Sequence, residues 1–156
     1  MNHVTVGHPL PDFVAKSTQG DISTDALRGR WTVLYFYPKD NTPGCTTEAQ
    51  DFRDHYKEFL NAECNVIGVS RDTLRSHANF TEKQGLPFPL ISDEAETLCE
   101  LFGVMKMKNM YGKQVRGIER STFLINPEGV LVQEWRGLRV PGHVDAVLQA
   151  LLGHAQ

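Results

Sequence analysis

The chain of 156 residues is poor in cysteine, and its three, Cys45, Cys64 and Cys99, stand too far apart for a disulfide scaffold. A reducing cytoplasm is therefore the expected compartment. There is no C-x-x-C pair, because Cys45 is followed by Thr46, Thr47 and Glu48, and this excludes a dithiol–disulfide exchanger. Clustered histidines are missing too. His3, His8, His55, His77, His143 and His154 are scattered, with no two at helical i, i+4 spacing, so no zinc site is expected. No window approaches the roughly 18 apolar residues of a membrane span. Residues 1–10 lack both the cationic start and the apolar run of a secretory leader. A net charge of −3 gives no reason to expect nucleic acid or an anionic membrane as partner. Repeats, low-complexity tracts and linker-like composition shifts are absent as well, so residues 1–156 are expected to form one domain.

What is present centres on residues 31–60. Residues 31–37 (WTVLYFY) are β-branched, apolar and aromatic with no breaker, the composition of a buried strand. Pro38 stops the run, and a polar turn carries the chain to Gly44. Beyond Cys45 the apolar residues Ala49, Phe52, Tyr56, Phe59 and Leu60 form a helical stripe. Cys45 therefore falls at a strand-to-helix junction, where unpaired backbone N–H groups and the positive end of the helix dipole favour an anion. The anionic form of cysteine is its nucleophilic form, so the setting suits a reactive thiol.

The rest of the chain supplies a frame. Residues 13–15 begin a short strand, and Gln19-Gly20-Asp21 turns it toward Ile22. Residues 65–70 (NVIGVS) read as a second buried strand, parallel to the first across the Cys45 helix. Residues 71–84 are expected to be a helix and residues 90–92 a strand. A further helix, capped by Ser92 or Asp93, carries Ala95, Leu98, Cys99, Leu101 and Phe102 and stops at Gly103. Residues 105–117, with three lysines and no clean period, read as a loop. Residues 120–125 and 130–135 are joined by Asn126-Pro127-Glu128-Gly129 as a β-hairpin. A last helix, carrying Val144, Val147, Leu148, Leu151 and Leu152, ends at Gly153. This order predicts an α/β protein with a thioredoxin-like fold, a central mixed sheet flanked by helices.

The turn and its cysteine, P-K-D-N-T-P-G-C, resemble the signature of the peroxiredoxin family, in which a proline, a threonine four residues on and a cysteine three further frame a peroxide site. Here these are Pro38, Thr42 and Cys45. The longer run Y-P-K-D-N-T-P-G-C-T-T-E-A is similar to the Q-type, or bacterioferritin-comigratory, branch. The likeness continues through G-V-S-R-D, F-P-L-I-S-D and R-S-T-F-L-I. The resemblance implies a thiol peroxidase, acting on hydrogen peroxide and small organic hydroperoxides without metal, haem or flavin. Cys45 would be the nucleophile, Thr42 a donor orienting the peroxide, Pro38 a shield and Arg120 the cation beside the thiolate. Glu48 is expected to complement the helix dipole or to orient Arg120.

The chain departs from that branch where a second cysteine is often found. Gln50 stands five residues after Cys45 and Thr81 stands in the following helix, the two positions of a resolving thiol. Parallel pairing would put Cys64 at the opposite end of the sheet from Cys45, about 17–20 Å away, whereas a disulfide needs Cα atoms within about 7 Å. Cys99, on an apolar helical stripe, reads as a core thiol. A one-cysteine cycle follows, with the sulfenic acid cleared by an external thiol: thioredoxin, glutaredoxin or glutathione. A monomer is expected. The alternatives are a two-cysteine cycle through Cys99, and a redox sensor in which oxidised Cys45 signals to a partner.

Overall fold

The computed structural model describes residues 3–156. In chain order the elements are β1 (Val14–Ser17), β2 (Gly20–Ser23), α1 (Thr24–Leu27), β3 (Trp31–Phe36), α2 (Pro43–Asp54), α3 (Tyr56–Asn61), β4 (Cys64–Ser70), α4 (Leu74–Gln84), β5 (Leu90–Ser92), α5 (Thr97–Leu101), β6 (Met105–Met110), β7 (Lys113–Ile118), β8 (Ser121–Ile125), β9 (Leu131–Arg136) and α6 (His143–His154). Among the described residues the strands make a seven-stranded sheet of order β2-β1-β5-β4-β3-β8-β9 and a separate ribbon of β6 and β7.

β3 lies inside the sheet and reads as a continuous apolar run because both of its faces are covered. Val33, Tyr35 and Tyr37 point to one side, against Ala49 and Phe52 of α2, Phe80 of α4 and Val144, Val147 and Leu148 of α6. Leu34 and Phe36 point to the other, against Leu98 and Cys99 of α5, Phe102 and Phe123. β4 pairs parallel to β3 with Trp31 opposite Cys64 and Phe36 opposite Val69, while β8 pairs antiparallel with Phe36 opposite Ser121. The C-terminal end of β3 is thus flanked by the end of β4 and the beginning of β8. Cys64 lies at the far end, about 20 Å away at strand rise. At the close approach of β4 to its neighbours, a side chain on Gly68 would stand 2.7 Å from Leu90 and 2.9 Å from the Tyr35 ring.

Four expectations are corrected. Residues 105–117 are not a loop but the β6–β7 ribbon, paired from Met105 with Ile118 to Met110 with Lys113. Tyr111 (φ 54°) and Gly112 (φ 78°) supply the two positive φ angles of a tight hairpin turn. Because most of the ribbon is solvated, its strands carry no apolar alternation to betray them. The stripe after Cys45 is not one helix; it breaks at His55 into α2 and α3, and Leu60 is exposed. α5 is shorter than expected and its N-cap is Glu96, yet the Asp93 carboxylate still accepts from the backbone N–H groups of Leu98 and Cys99, at 3.1 and 2.8 Å. α6 runs through Gly153 to His154. No helix among the described residues is long and apolar enough to cross a membrane.

Candidate active site

β3 delivers the chain to Pro38, half-buried at a bend, and the turn that follows ends at Thr42, the N-cap of α2. Pro43 occupies the first helical position, where its missing N–H costs nothing. Cys45 is the third residue of α2, 1% exposed, in the turn whose backbone N–H groups lack helical partners. The β3–β8 register brings Arg120, just before β8, to this same end of the sheet. Its Nη2 donates to Cys45 Sγ at 3.4 Å and its Nη1 to Glu48 Oε1 at 2.6 Å. Seventy-five residues of chain separate the cation from the sulfur it faces.

Glu48 is fully buried one helical turn after Cys45, past the first turn of α2 rather than in it. Of the two roles expected of it, the orienting one matches the geometry, because its carboxylate is aimed at Arg120. Its Oε2 has no partner among the described residues. Burial pushes its carboxyl from 4.5 up to about 7, against the opposing pull of Arg120. For Arg120, burial disfavours the charge, but Glu48 and Cys45 outweigh it and hold the guanidinium above its ordinary value. Beneath the site, burial and then the charges of Glu48 and Cys45 push the Tyr35 phenol well above its ordinary range, and its ring stacks on Phe52 at 4.5 Å.

The Thr42 hydroxyl donates its one proton to Lys39 O at 2.8 Å, which closes the turn, so in this structure it is free to act as an acceptor and not as the donor expected of it. Cys45, Thr42, Arg120 and Pro38 are therefore grouped at one end of the sheet, with Arg120 hydrogen-bonded to the sulfur. The other thiols are elsewhere. Cys64 is buried at the start of β4 and burial raises it to about 12. Cys99 is buried on α5, where burial and then Asp93 also raise its thiol.

Three features were not legible as functional in the sequence. Gly44 lies against the cation, and a Cβ there would stand 3.2 Å from Arg120 Nη2, close enough to press on the guanidinium. His143, at the start of α6, shares a 2.8 Å hydrogen bond with Thr122, and burial with the nearby Arg120 lowers it to about 4, so the imidazole is neutral. Asp40, Asp72 and His77 form the one group of metal-ligand spacing among the described residues. Each of their ligand atoms already has a protein partner, so this is a hydrogen-bonded network rather than a donor set waiting for an ion.

A buried cysteine at a helix N-terminus, with a guanidinium on its sulfur, suits nucleophilic thiol chemistry on a substrate whose leaving group departs as an anion. Comparison with known proteins gives the class. The AhpC/TSA family profile matches residues 6–134. Peroxiredoxin Bcp of Xanthomonas campestris is 56% identical over 94% of this chain and 91% of its own length. Peroxiredoxin Bcp of Bacillus subtilis is 47% identical over 95% of each. Among solved structures, peroxiredoxin Q of Xylella fastidiosa, as a cysteine-to-serine mutant, superposes with a TM-score of 0.94 at 42% identity over the whole of both chains. The X. campestris bacterioferritin comigratory protein, trapped in intermediate and ligand complexes that bear on its alkyl peroxide reduction, gives 0.91 at 52% identity, covering 97% of this chain and 100% of that one. The chain belongs to the AhpC/TSA family, in its peroxiredoxin Q branch, with the thioredoxin-like fold of those relatives. It is a thiol-dependent peroxidase, and its reaction takes a hydroperoxide and a thiol reductant.

Proposed function

We propose that Cys45 is the peroxidatic cysteine of a one-cysteine cycle acting on hydrogen peroxide and small organic hydroperoxides. The Cys45 thiolate attacks one peroxide oxygen, the O–O bond breaks, and the other oxygen leaves as hydroxide or alkoxide and takes up a proton. Cys45 is thereby oxidised to a sulfenic acid. Arg120 stabilises both the thiolate and the charge that develops on the leaving oxygen. Thr42 orients the peroxide and Pro38 shields the pocket. An external thiol, from thioredoxin, glutaredoxin or glutathione, then attacks the sulfenic sulfur, releases water and forms a mixed disulfide. A second thiol regenerates Cys45. The observation that carries this reading is the 3.4 Å contact of Arg120 with Cys45 Sγ in the first turn of α2. Two further facts support resolution from outside: burial holds Cys64 and Cys99 in their thiol form, and Gln50 and Thr81 stand where relatives of this branch place a resolving cysteine. We place the enzyme in the cytoplasm, as a monomer of one domain.

Intact mass of the reduced protein after one equivalent of peroxide tests this. The expected result is a gain of one oxygen, trapped at Cys45 by a sulfenate probe and absent in Cys45→Ser. Loss of two hydrogens, with a peptide linking Cys45 to Cys64 or Cys99, would replace it with a two-cysteine cycle.

A further inference from the structure

Within the turn that presents Cys45, the side-chain bond is that of Thr42 to Lys39 O. Lys39, Asn41 and Pro43 are exposed, and Asn41 is in the left-handed region at φ 63°, a conformation that a non-glycine residue keeps only where its surroundings enforce it. Asp40 is the exception. It is buried, and its carboxylate is the hub of a network that reaches α4 and, through it, β5. Oδ1 accepts from the Tyr37 hydroxyl at 2.7 Å. Oδ2 accepts from Ser76 Oγ at 2.8 Å and lies 2.8 Å from His77 Nδ1. The Asp40 backbone N–H donates to Asp72 Oδ2 at 3.0 Å.

His77 is wholly buried in the first turns of α4, and its other nitrogen, Nε2, lies 2.9 Å from the carbonyl oxygen of Ile91 in β5. A carbonyl can only accept, so Nε2 carries a proton. One further proton then lies between Nδ1 and Asp40, on whichever partner holds it. Both ring nitrogens and both carboxylate oxygens are thus satisfied by named partners in a dry interior, the condition under which a polar network specifies one arrangement. The pair ties the turn before α2 to α4 and β5, neither of which contributes a side chain to the contact between Arg120 and Cys45.

We propose that Asp40 and His77 are positioning residues for the peroxide reaction. By anchoring Asp40, the pair holds Asn41 in its left-handed conformation and sets where Thr42 and the first turn of α2 stand against Arg120. The inference rests on Cys45 as the reacting thiol. Its consequence is that peroxide reactivity, which needs the aligned site, separates from simple accessibility of the sulfur, which does not.

The test compares Asp40→Asn, which keeps the shape of the carboxylate, His77→Phe, which keeps a ring in place, and the double variant. Two rates are measured for Cys45 in each, both on their alkaline plateau so that the thiolate fraction does not enter: single-turnover oxidation by hydrogen peroxide, and alkylation by iodoacetamide. The expected result is a loss of about tenfold or more in the peroxide rate, with alkylation unchanged or faster. The double variant should lose no more than the worse single one, because the two residues act as one unit. Far-ultraviolet circular dichroism confines the comparison to folded variants, and Asp40→Asn carries the test alone if His77→Phe does not fold. A folded Asp40→Asn whose peroxide rate stays within about twofold of the parent would overturn the proposal, as would equal losses in both rates. A parent protein that takes up peroxide oxygen elsewhere than Cys45 would instead overturn the reading on which it rests.

Discussion

Glu48 is the charge that this fold accommodates least easily, and replacing it with glutamine measures the cost. Its side chain has no exposure, one oxygen is paired with Arg120, and the other has no partner among the described residues. Burial outweighs the arginine and raises the carboxyl from 4.5 to about 7. A folded state that holds this proton more tightly than the unfolded chain does is unaffected below 4.5, loses stability as pH rises, and carries the full loss above about 7. From about pH 5 to about pH 8 the loss from this group amounts to about 2–3 kcal/mol. Glutamine keeps the volume and an oxygen for Arg120 but has nothing to ionise. The assay is urea unfolding of Glu48→Gln and its parent across that range, both carrying Cys45→Ser so that the neighbouring thiol does not titrate. Cys45 is not among the groups that move Glu48, so that background leaves the effect in place. Other titrations cancel in the difference, and the glutamine variant should gain on its parent by about 2–3 kcal/mol between the two ends. A difference that does not change with pH would refute the reasoning, since it would mean that Arg120 keeps Glu48 ionised throughout.

Removing the cation itself, in Arg120→Ala, should slow single-turnover oxidation of Cys45 by about 10²–10³-fold, the usual effect of losing one donor from a site of developing negative charge; an unchanged rate would take the role from Arg120. Gly44→Ala should act on the same contact more gently. The new methyl group, 3.2 Å from Nη2, displaces the guanidinium without straining the backbone, so a peroxide rate about tenfold lower with a preserved melting temperature is expected, and a lowered melting temperature with a normal rate would contradict it. Gly68→Ala, which adds its methyl against Leu90 and the Tyr35 ring rather than against Arg120, should act on stability instead. A Cβ at 2.7 Å from Leu90 and 2.9 Å from Tyr35 overpacks the core and should cost about 1–3 kcal/mol in urea unfolding; no measurable loss would show that β4 and β5 yield more than a packed sheet does.

Much of the frame was legible because its signals are local. The unbroken apolar run of β3, the turn chemistry before Cys45 and between β8 and β9, and the 3.6-residue stripe of α6 each lie within one short window. The β6–β7 ribbon escaped because a ribbon exposed to solvent needs no apolar alternation. Its only local mark is the Tyr111-Gly112 pair, which lacks the usual Asn-Gly chemistry. Gly153 looked like a helix stop, yet the packing of Val147, Leu148 and Leu151 carries α6 past it. His77 shows the deeper limit. In the sequence it is one of six scattered histidines, and only the parallel pairing of β4 with β3 and β5 carries α4 back over the turn, where its ring meets Asp40.

The sequence by itself determined the candidate centre: a cysteine in the first turn of a helix behind a breaker-rich turn, in an order of strands and helices that leaves few folds open. Those are properties of neighbouring residues, set by backbone geometry and side-chain periodicity. Which charge reaches that cysteine, and what holds the turn in place, only the tertiary structure decided. Arg120 meets Cys45 through the antiparallel register of β8 on β3, and Glu48 becomes a buried, half-satisfied carboxylate only in the folded chain, where Arg120 is the partner of one oxygen. Contacts of that range follow from strand pairing and burial, which are properties of the whole chain.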